Sequence, residues 1–278
     1  MAKIRLSILL LMSFTVLTNC TLKKGQLVEN KPSEEEKTAV LAWGSLAWQL
    51  SSPNYGNRLN VTGDNWASGN DPGKNPAFKR GGPILPIEYS SYTDDGRITL
   101  VIDPANANNV ETLFALSNEK TLKAAIRNLS LREGCGTSDC VGYTYKSPSG
   151  EYKTVLAGAP KEWQELIHKR TATWLKENEN KFLGKKITAV IWTDLPRRFV
   201  DNGAHNAAQM LEAAKKLLRT KPISVQKKAL EYLKKAPVTP FTKNGPALEK
   251  YLENLLKTAS QRGSFIKPSA TAKISAGT

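Results

Sequence analysis

Residues 39–46 read Ala39-Val40-Leu41-Ala42-Trp43-Gly44-Ser45-Leu46. The apolar run containing Val40 and Leu41 has the composition of a buried strand, and it breaks at Trp43-Gly44-Ser45. A glycine at a strand end lets the chain turn where a Cβ would clash. It also lets backbone N–H groups approach a ligand closely. Such an ending is common in plain turns. About ninety residues further on, a helical pattern runs into Leu131-Arg132-Glu133-Gly134, a second candidate for chemistry.

Before this strand the chain is not domain-like. Lys3 and Arg5 precede a mostly apolar run from Leu6 to Leu17, which is too short for a membrane span and ends in Leu17-Thr18-Asn19-Cys20. That order is similar to a lipoprotein signal peptide, with residues 1–19 removed and Cys20 lipidated, although Asn19 stands where a small residue is usual. The polar residues 20–37, with Pro32 and Glu34-Glu35-Glu36, read as a tether. The expected location is a bacterial cell envelope, with the protein held on a membrane by its lipid. The formal net charge of +15 favours anionic partners. Its lysines are scattered, however, with Lys215, Lys216, Lys227, Lys228, Lys234 and Lys235 among the C-terminal helices, and no nucleic-acid-binding pattern is present, so no nucleic-acid partner is expected.

After the strand, residues 51–82 are rich in Gly, Pro, Asn and Ser, a long irregular stretch that Trp66 and Phe78 are expected to pack back on the body. Ile84 to Tyr92 and Arg97 to Ile102 form a hairpin around Thr93-Asp94-Asp95-Gly96. Val110 to Leu116 reads as one further strand, and Glu119 to Leu129 as a helix with Leu122, Ala125, Ile126 and Leu129 on one face. A second hairpin, Tyr143 to Lys146 and Tyr152 to Ala157, turns at Pro148-Ser149-Gly150. Pro160 opens an amphipathic helix to about Asn180, with Trp163, Leu166, Ile167 and Trp174 as its core stripe. Ile187 to Trp192 is a buried strand, followed by Thr193-Asp194-Leu195-Pro196. Helices follow at about 204–219, 223–235 and 246–258. The parts are thus a signal peptide (1–19), a tether (20–37), a mixed domain (38–200), a helical extension (201–260) and a structureless tail (261–278).

No phosphate-binding glycine loop or nucleophile elbow occurs, and His168 and His205 lie in helical stretches without partners that suggest a metal or a triad. Chemistry therefore rests on carboxylates and backbone donors. Glu133 and Glu88 are the candidates, Glu88 lying in a buried strand where a lone carboxylate is costly. Arg58, Arg80 and Arg97 are candidates to hold a substrate carboxylate. Cys135 and Cys140 are expected to form a disulfide in an oxidising compartment, directly after Glu133, with two free thiols as the alternative.

Trp43-Gly44-Ser45-Leu46 closing the first strand, followed by a helix that enters Glu133-Gly134, resembles the γ-glutamylcyclotransferase family, in particular its longer, little-characterised members. The likeness covers roughly residues 38–195 and includes the segment from Trp192 to Pro196. It implies an α+β fold: a small mixed β-barrel with helices packed outside, here with a helical C-terminal extension. It implies conversion of a γ-glutamyl amine or peptide to 5-oxoproline, without metal or cofactor. Glu133 would be the general acid/base, and Trp43, Gly44, Ser45 and Leu46 the substrate loop. Trp43 replaces the family's tyrosine, and residues 51–82 are longer than the compact members need. Those two departures favour an alternative, a non-catalytic envelope lipoprotein that binds a small ligand or polymer on the same fold.

Overall fold

Two β-sheets and the helices packed on them enclose two apolar clusters in the computed structural model, which describes residues 36–52, 56–62, 77–136, 138–180, 185–201 and 203–264. The signal peptide, Cys20, nearly all of the tether, Trp66 and residues 265–278 lie outside the described residues. Among the described residues no helix is long and apolar enough to cross a membrane.

The first strand, β1 (Glu36–Ala42), starts two residues inside the expected tether. It lies inside a five-stranded sheet, between β8 (Lys186–Thr193), to which it is parallel, and β5 (Leu113–Leu116), which is antiparallel. β6 (Val141–Lys146) and β7 (Tyr152–Val155) complete the order β5-β1-β8-β6-β7. A strand covered on both faces reads as a continuous apolar run rather than an alternating one. That is the case in β1: Ala39, Leu41 and Trp43 enter one core cluster, and Val40, Ala42 and Leu46 enter another on the opposite face.

The second sheet has three strands in the order β3-β2-β4, with β2 (Ile84–Tyr92), β3 (Ile98–Ile102) and β4 (Asn108–Glu111). The single strand expected at Val110 to Leu116 is therefore two, in different sheets. Thr112 stands at the break: its N–H and its Oγ1 both donate to the Pro83 carbonyl, at 3.3 and 2.8 Å, which keeps it beside the start of β2, whereas the next residue, Leu113, pairs with Ala42 of β1. The expected closed barrel is corrected as well, since the described strands form two sheets and close no barrel.

Helix α1 (Leu122–Glu133) covers the Val40 face with Ala125, Ile126 and Leu129. It starts later than Glu119 because Thr121 caps it, Oγ1 accepting from the Ala124 N–H at 3.1 Å. It extends through Glu133 and stops at Gly134, whose φ of 76° is the left-handed conformation that glycine adopts without strain. α2 (Gln164–Asn178), preceded by a single 3-10 turn, packs on the other face through Ile167, Trp174 and Leu175. After the short α3 (Arg198–Asp201), helices α4 (Ala207–Arg219), α5 (Ile223–Lys235) and α6 (Gly245–Ser264) follow. α6 continues past residue 260, into the stretch expected to be structureless. Met210, Leu218, Leu233 and Leu252 join the same cluster as β1 and β2, so the extension is part of the main core.

Candidate active site

The chain leaves β1 at Trp43 and makes one 3-10 turn over Ser45–Ala47, with Ala47 N–H donating to the Gly44 carbonyl at 3.0 Å. Trp43 is buried, and its indole N–H reaches the Leu100 carbonyl of β3 at 3.3 Å. Its polar handle is thus spent on tying the loop to the second sheet. Among the described residues, the N–H groups of Ser45 and Leu46 have no hydrogen-bond partner, as expected for the first residues of a helical turn.

Gly44 has a specific packing reason. The Tyr232 hydroxyl, carried by α5, lies so close that a Cβ on residue 44 would sit within 2.2 Å of Oη. Tyr232 itself is wedged edge-on between Trp48, just after the turn, and Tyr89 of β2, with ring centroids 5.5 and 6.2 Å away. Burial pushes the Tyr232 phenol up from its ordinary value. The charge of Glu133 adds to this, while the Thr99 side chain and the Leu100 backbone oppose it.

Glu133 is the last residue of α1, rather than following it, and only 17% of its side chain is exposed. It lines a cleft of about 550 Å³ and an adjoining recess of about 50 Å³. Ser45, Thr99, Glu133, Leu195 and Tyr232 border both. Trp43, Gly44 and Leu46 border the recess alone. The two sequence stretches, β1's end and α1's end, therefore meet at one place.

Glu133 forms an ion pair with its chain neighbour Arg132, whose Nη1 lies 2.5 Å from Oε1. Arg132 is only 5% exposed, and its Nη2 donates to the Gln49 carbonyl. A carboxylate at the end of α1 faces the negative pole of the helix dipole, and the guanidinium offsets that. Among the described residues nothing hydrogen-bonds Glu133 Oε2. The next residue but one, Cys135, borders the cleft and forms the disulfide with Cys140, S–S 1.99 Å and Cα–Cα 6.2 Å. Cys140 also accepts from the Asp194 N–H through its carbonyl at 2.7 Å.

Of the three arginines, only Arg97 borders the cleft, paired to Asp95 at 2.8 Å. Arg58 serves through its backbone, its carbonyl accepting from Asn128 of α1. Arg80 is 70% exposed beside Glu111, away from the cleft. Arg198, which nothing in the sequence distinguished, borders the cleft and pairs with Asp94 at 2.5 Å.

Glu88 is not at this site. It is fully buried, and its carboxylate accepts from the Tyr89, Lys243 and Asn244 N–H groups at 2.8, 2.7 and 3.3 Å. The last two stand just before α6, so Glu88 anchors that helix to β2. Burial pushes its carboxyl up, and the three N–H groups oppose the shift. Asp194 has a similar role: buried, it accepts from the N–H groups of Ala157, Gly158 and Ala159 and positions Leu195 and Pro196 at the cleft wall. His168 hydrogen-bonds Thr154 at 3.0 Å, on a threonine chain through Thr144 to Thr171. Neither His168 nor His205 borders the cleft.

No family model, curated protein or solved structure matches this chain.

Proposed function

We propose that this cleft is the active site of a γ-glutamylcyclotransferase-like enzyme, on a variant of that fold opened into two sheets. The observation that carries the reading is the meeting of Glu133 with Gly44-Ser45-Leu46 around one recess. A γ-glutamyl amide can be cleaved by its own α-amine. The nitrogen attacks the γ-carbonyl carbon, a ring C–N bond forms, and the amine's proton passes to Glu133. The tetrahedral intermediate then expels the other nitrogen, which takes that proton back. The products are 5-oxoproline and a free amine.

The nucleophile is already in the molecule, so a site that holds the right rotamer supplies much of the rate. One carboxylate can both accept and return the proton. Glu133 Oε2, which has no hydrogen-bond partner among the described residues, is the oxygen available for it. The N–H groups of Ser45 and Leu46, unpartnered among the described residues, are suited to a developing oxyanion. The cycle as written needs no metal or cofactor. Export on a lipidated Cys20, with a small γ-glutamyl molecule as the partner, belongs to the same proposal; intact mass of the membrane-extracted protein would show an unmodified Cys20 if anchoring is wrong.

The assay is a panel of γ-glutamyl amides and peptides scored for 5-oxoproline. An α-N-acylated substrate should not react, because its nucleophile is blocked. A wild type that releases no 5-oxoproline from any of them, yet binds one, would establish the second reading, a binding lipoprotein. The buried Arg132 held on Glu133 Oε1 favours that reading.

A further inference from the structure

Tyr232 stands where no sequence motif points. Its ring is fixed by Trp48 and Tyr89, and its hydroxyl lies against the Cα of Gly44. It borders both the cleft and the recess, together with Ser45, Thr99 and Glu133. The placement is demanding. Gly44 must be without a Cβ to admit this oxygen, and the residue that delivers it comes from α5, nearly 190 residues later in the chain. A tyrosine serving only as core filler would not need its polar atom at the mouth of a recess, against the strand-ending glycine. Trp43 offers no alternative donor there, because its N–H is committed to the Leu100 carbonyl.

We propose that Tyr232 is a catalytic residue of this site, its O–H donating a hydrogen bond to the γ-carbonyl oxygen of a γ-glutamyl substrate seated in the recess. The proposal rests on the cyclotransferase reading. In the step written above, attack of the α-amine converts the carbonyl to an oxyanion. The Tyr232 O–H strengthens its hydrogen bond to that oxygen as charge develops, and keeps its proton throughout. Glu133 carries the proton that moves from one nitrogen to the other. Collapse restores the C=O and breaks the bond to the leaving nitrogen. The burial that raises the phenol's proton affinity suits a group that must donate without ionising. Thr99 and Leu100 border the recess beside Tyr232, and both oppose the effect of burial on its proton affinity.

Tyr232→Phe tests this in the full chain, because it keeps the ring between Trp48 and Tyr89 and removes one oxygen. The expected result is a fall in kcat of about 100- to 1,000-fold, the range seen when a single oxyanion donor is removed, with KM changed less than threefold. The acidic limb of the pH–rate profile should stay in place, since Glu133 is untouched. Thr99→Val, which removes the polar neighbour that acts on the phenol without deleting its hydroxyl, should lower kcat by a smaller factor. Wild-type kcat in a folded Tyr232→Phe protein overturns the role of Tyr232 while leaving the cyclotransferase reading intact. If Tyr232→Phe does not fold, an unchanged kcat in Thr99→Val overturns it instead. A wild type inactive on every γ-glutamyl compound overturns both.

Discussion

Glu133 and Glu88 are two carboxylates in one chain with opposite surroundings, and each predicts its own outcome. Glu133 borders open space and shares one oxygen with a buried guanidinium. Glu133→Gln keeps an acceptor for Arg132 but cannot take up and return a proton. Turnover should fall by about 10²–10⁴, with substrate binding less affected. The variant also leaves Arg132 without a countercharge, so urea unfolding should show about 1–3 kcal/mol lost. Wild-type turnover in this variant would remove Glu133 from the chemistry. Glu88 has no such opening; its negative charge meets backbone N–H groups, burial and the charge of Asp103, which adds to the effect of burial. Its carboxyl holds a proton to higher pH in the folded protein than in the unfolded chain, whose ordinary value is 4.5. Folded protein therefore binds the extra proton, and the stability this gives is complete below the unfolded value and is lost as pH rises through the folded one. Stability of wild type relative to Glu88→Gln should then decline as pH is raised from about 4 toward 7. Parallel unfolding free energies for the two proteins across that range would contradict it.

Among the elements, α1 does the most to build the site, since its Gly134 cap turns the chain directly into the Cys135–Cys140 bridge. Cys135 N–H closes the helix on the Ser130 carbonyl at 3.0 Å, and Cys140 holds the Asp194 segment that carries Leu195 to the cleft. Replacing both cysteines by serine should lower stability by about 2 kcal/mol in the chain-entropy account of so small a loop, and should cost activity beyond that by freeing the backbone after Glu133. Thermal unfolding with and without the bridge, read beside 5-oxoproline release, checks both parts; equal unfolding temperatures would refute the first. This bridge was expected from the close spacing of the two cysteines together with the expected oxidising compartment, and the hairpins around Gly96 and Gly150 and the apolar strands β1 and β8 were legible from local pattern. The strand break at Thr112 was not, because threonine favours strands locally and the switch depends on partners distant in sequence, Pro83 for Thr112 and Ala42 for Leu113. Helix α1 was placed correctly by its apolar spacing, but its periodicity ends at Leu129, whereas packing and the glycine cap carry it to Glu133. The site was half legible: Gly44, Ser45 and Glu133 had sequence signals, while Arg198 and Tyr232 did not. Tyr232 adjoins the Gln226-Ala229-Leu233 stripe of α5 and has the pattern of any core aromatic.

At the scale of the whole molecule, the boundary near residue 200 is a division of sequence pattern, not of physical structure. Leu85, Ile87 and Tyr89 of β2 lie in the same cluster as Met210, Leu218 and Leu252 of the C-terminal helices. Tyr89 Oη meets Thr239 Oγ1 at 2.6 Å, both fully buried, and burial pushes that phenol well above its ordinary value. Asn108 donates to the Phe241 carbonyl at 3.0 Å, and Glu88 holds the chain just before α6. Ending the chain at Gly203 would remove each of these partners at once. It would leave Glu88 with one N–H donor instead of three and turn an apolar sheet face to water. Burial of a single large apolar side chain stabilises by about 1.5–3 kcal/mol, and a whole domain is stable by only about 5–15 kcal/mol, so losing several such contacts exceeds the margin. The shortened chain should therefore bind a hydrophobic dye, lack near-ultraviolet dichroism and unfold without a cooperative transition. A sharp transition near the full-length temperature would show that residues 36–203 fold by themselves. Even that protein should be inactive, because Tyr232 and the lining it gives to both cavities would be gone.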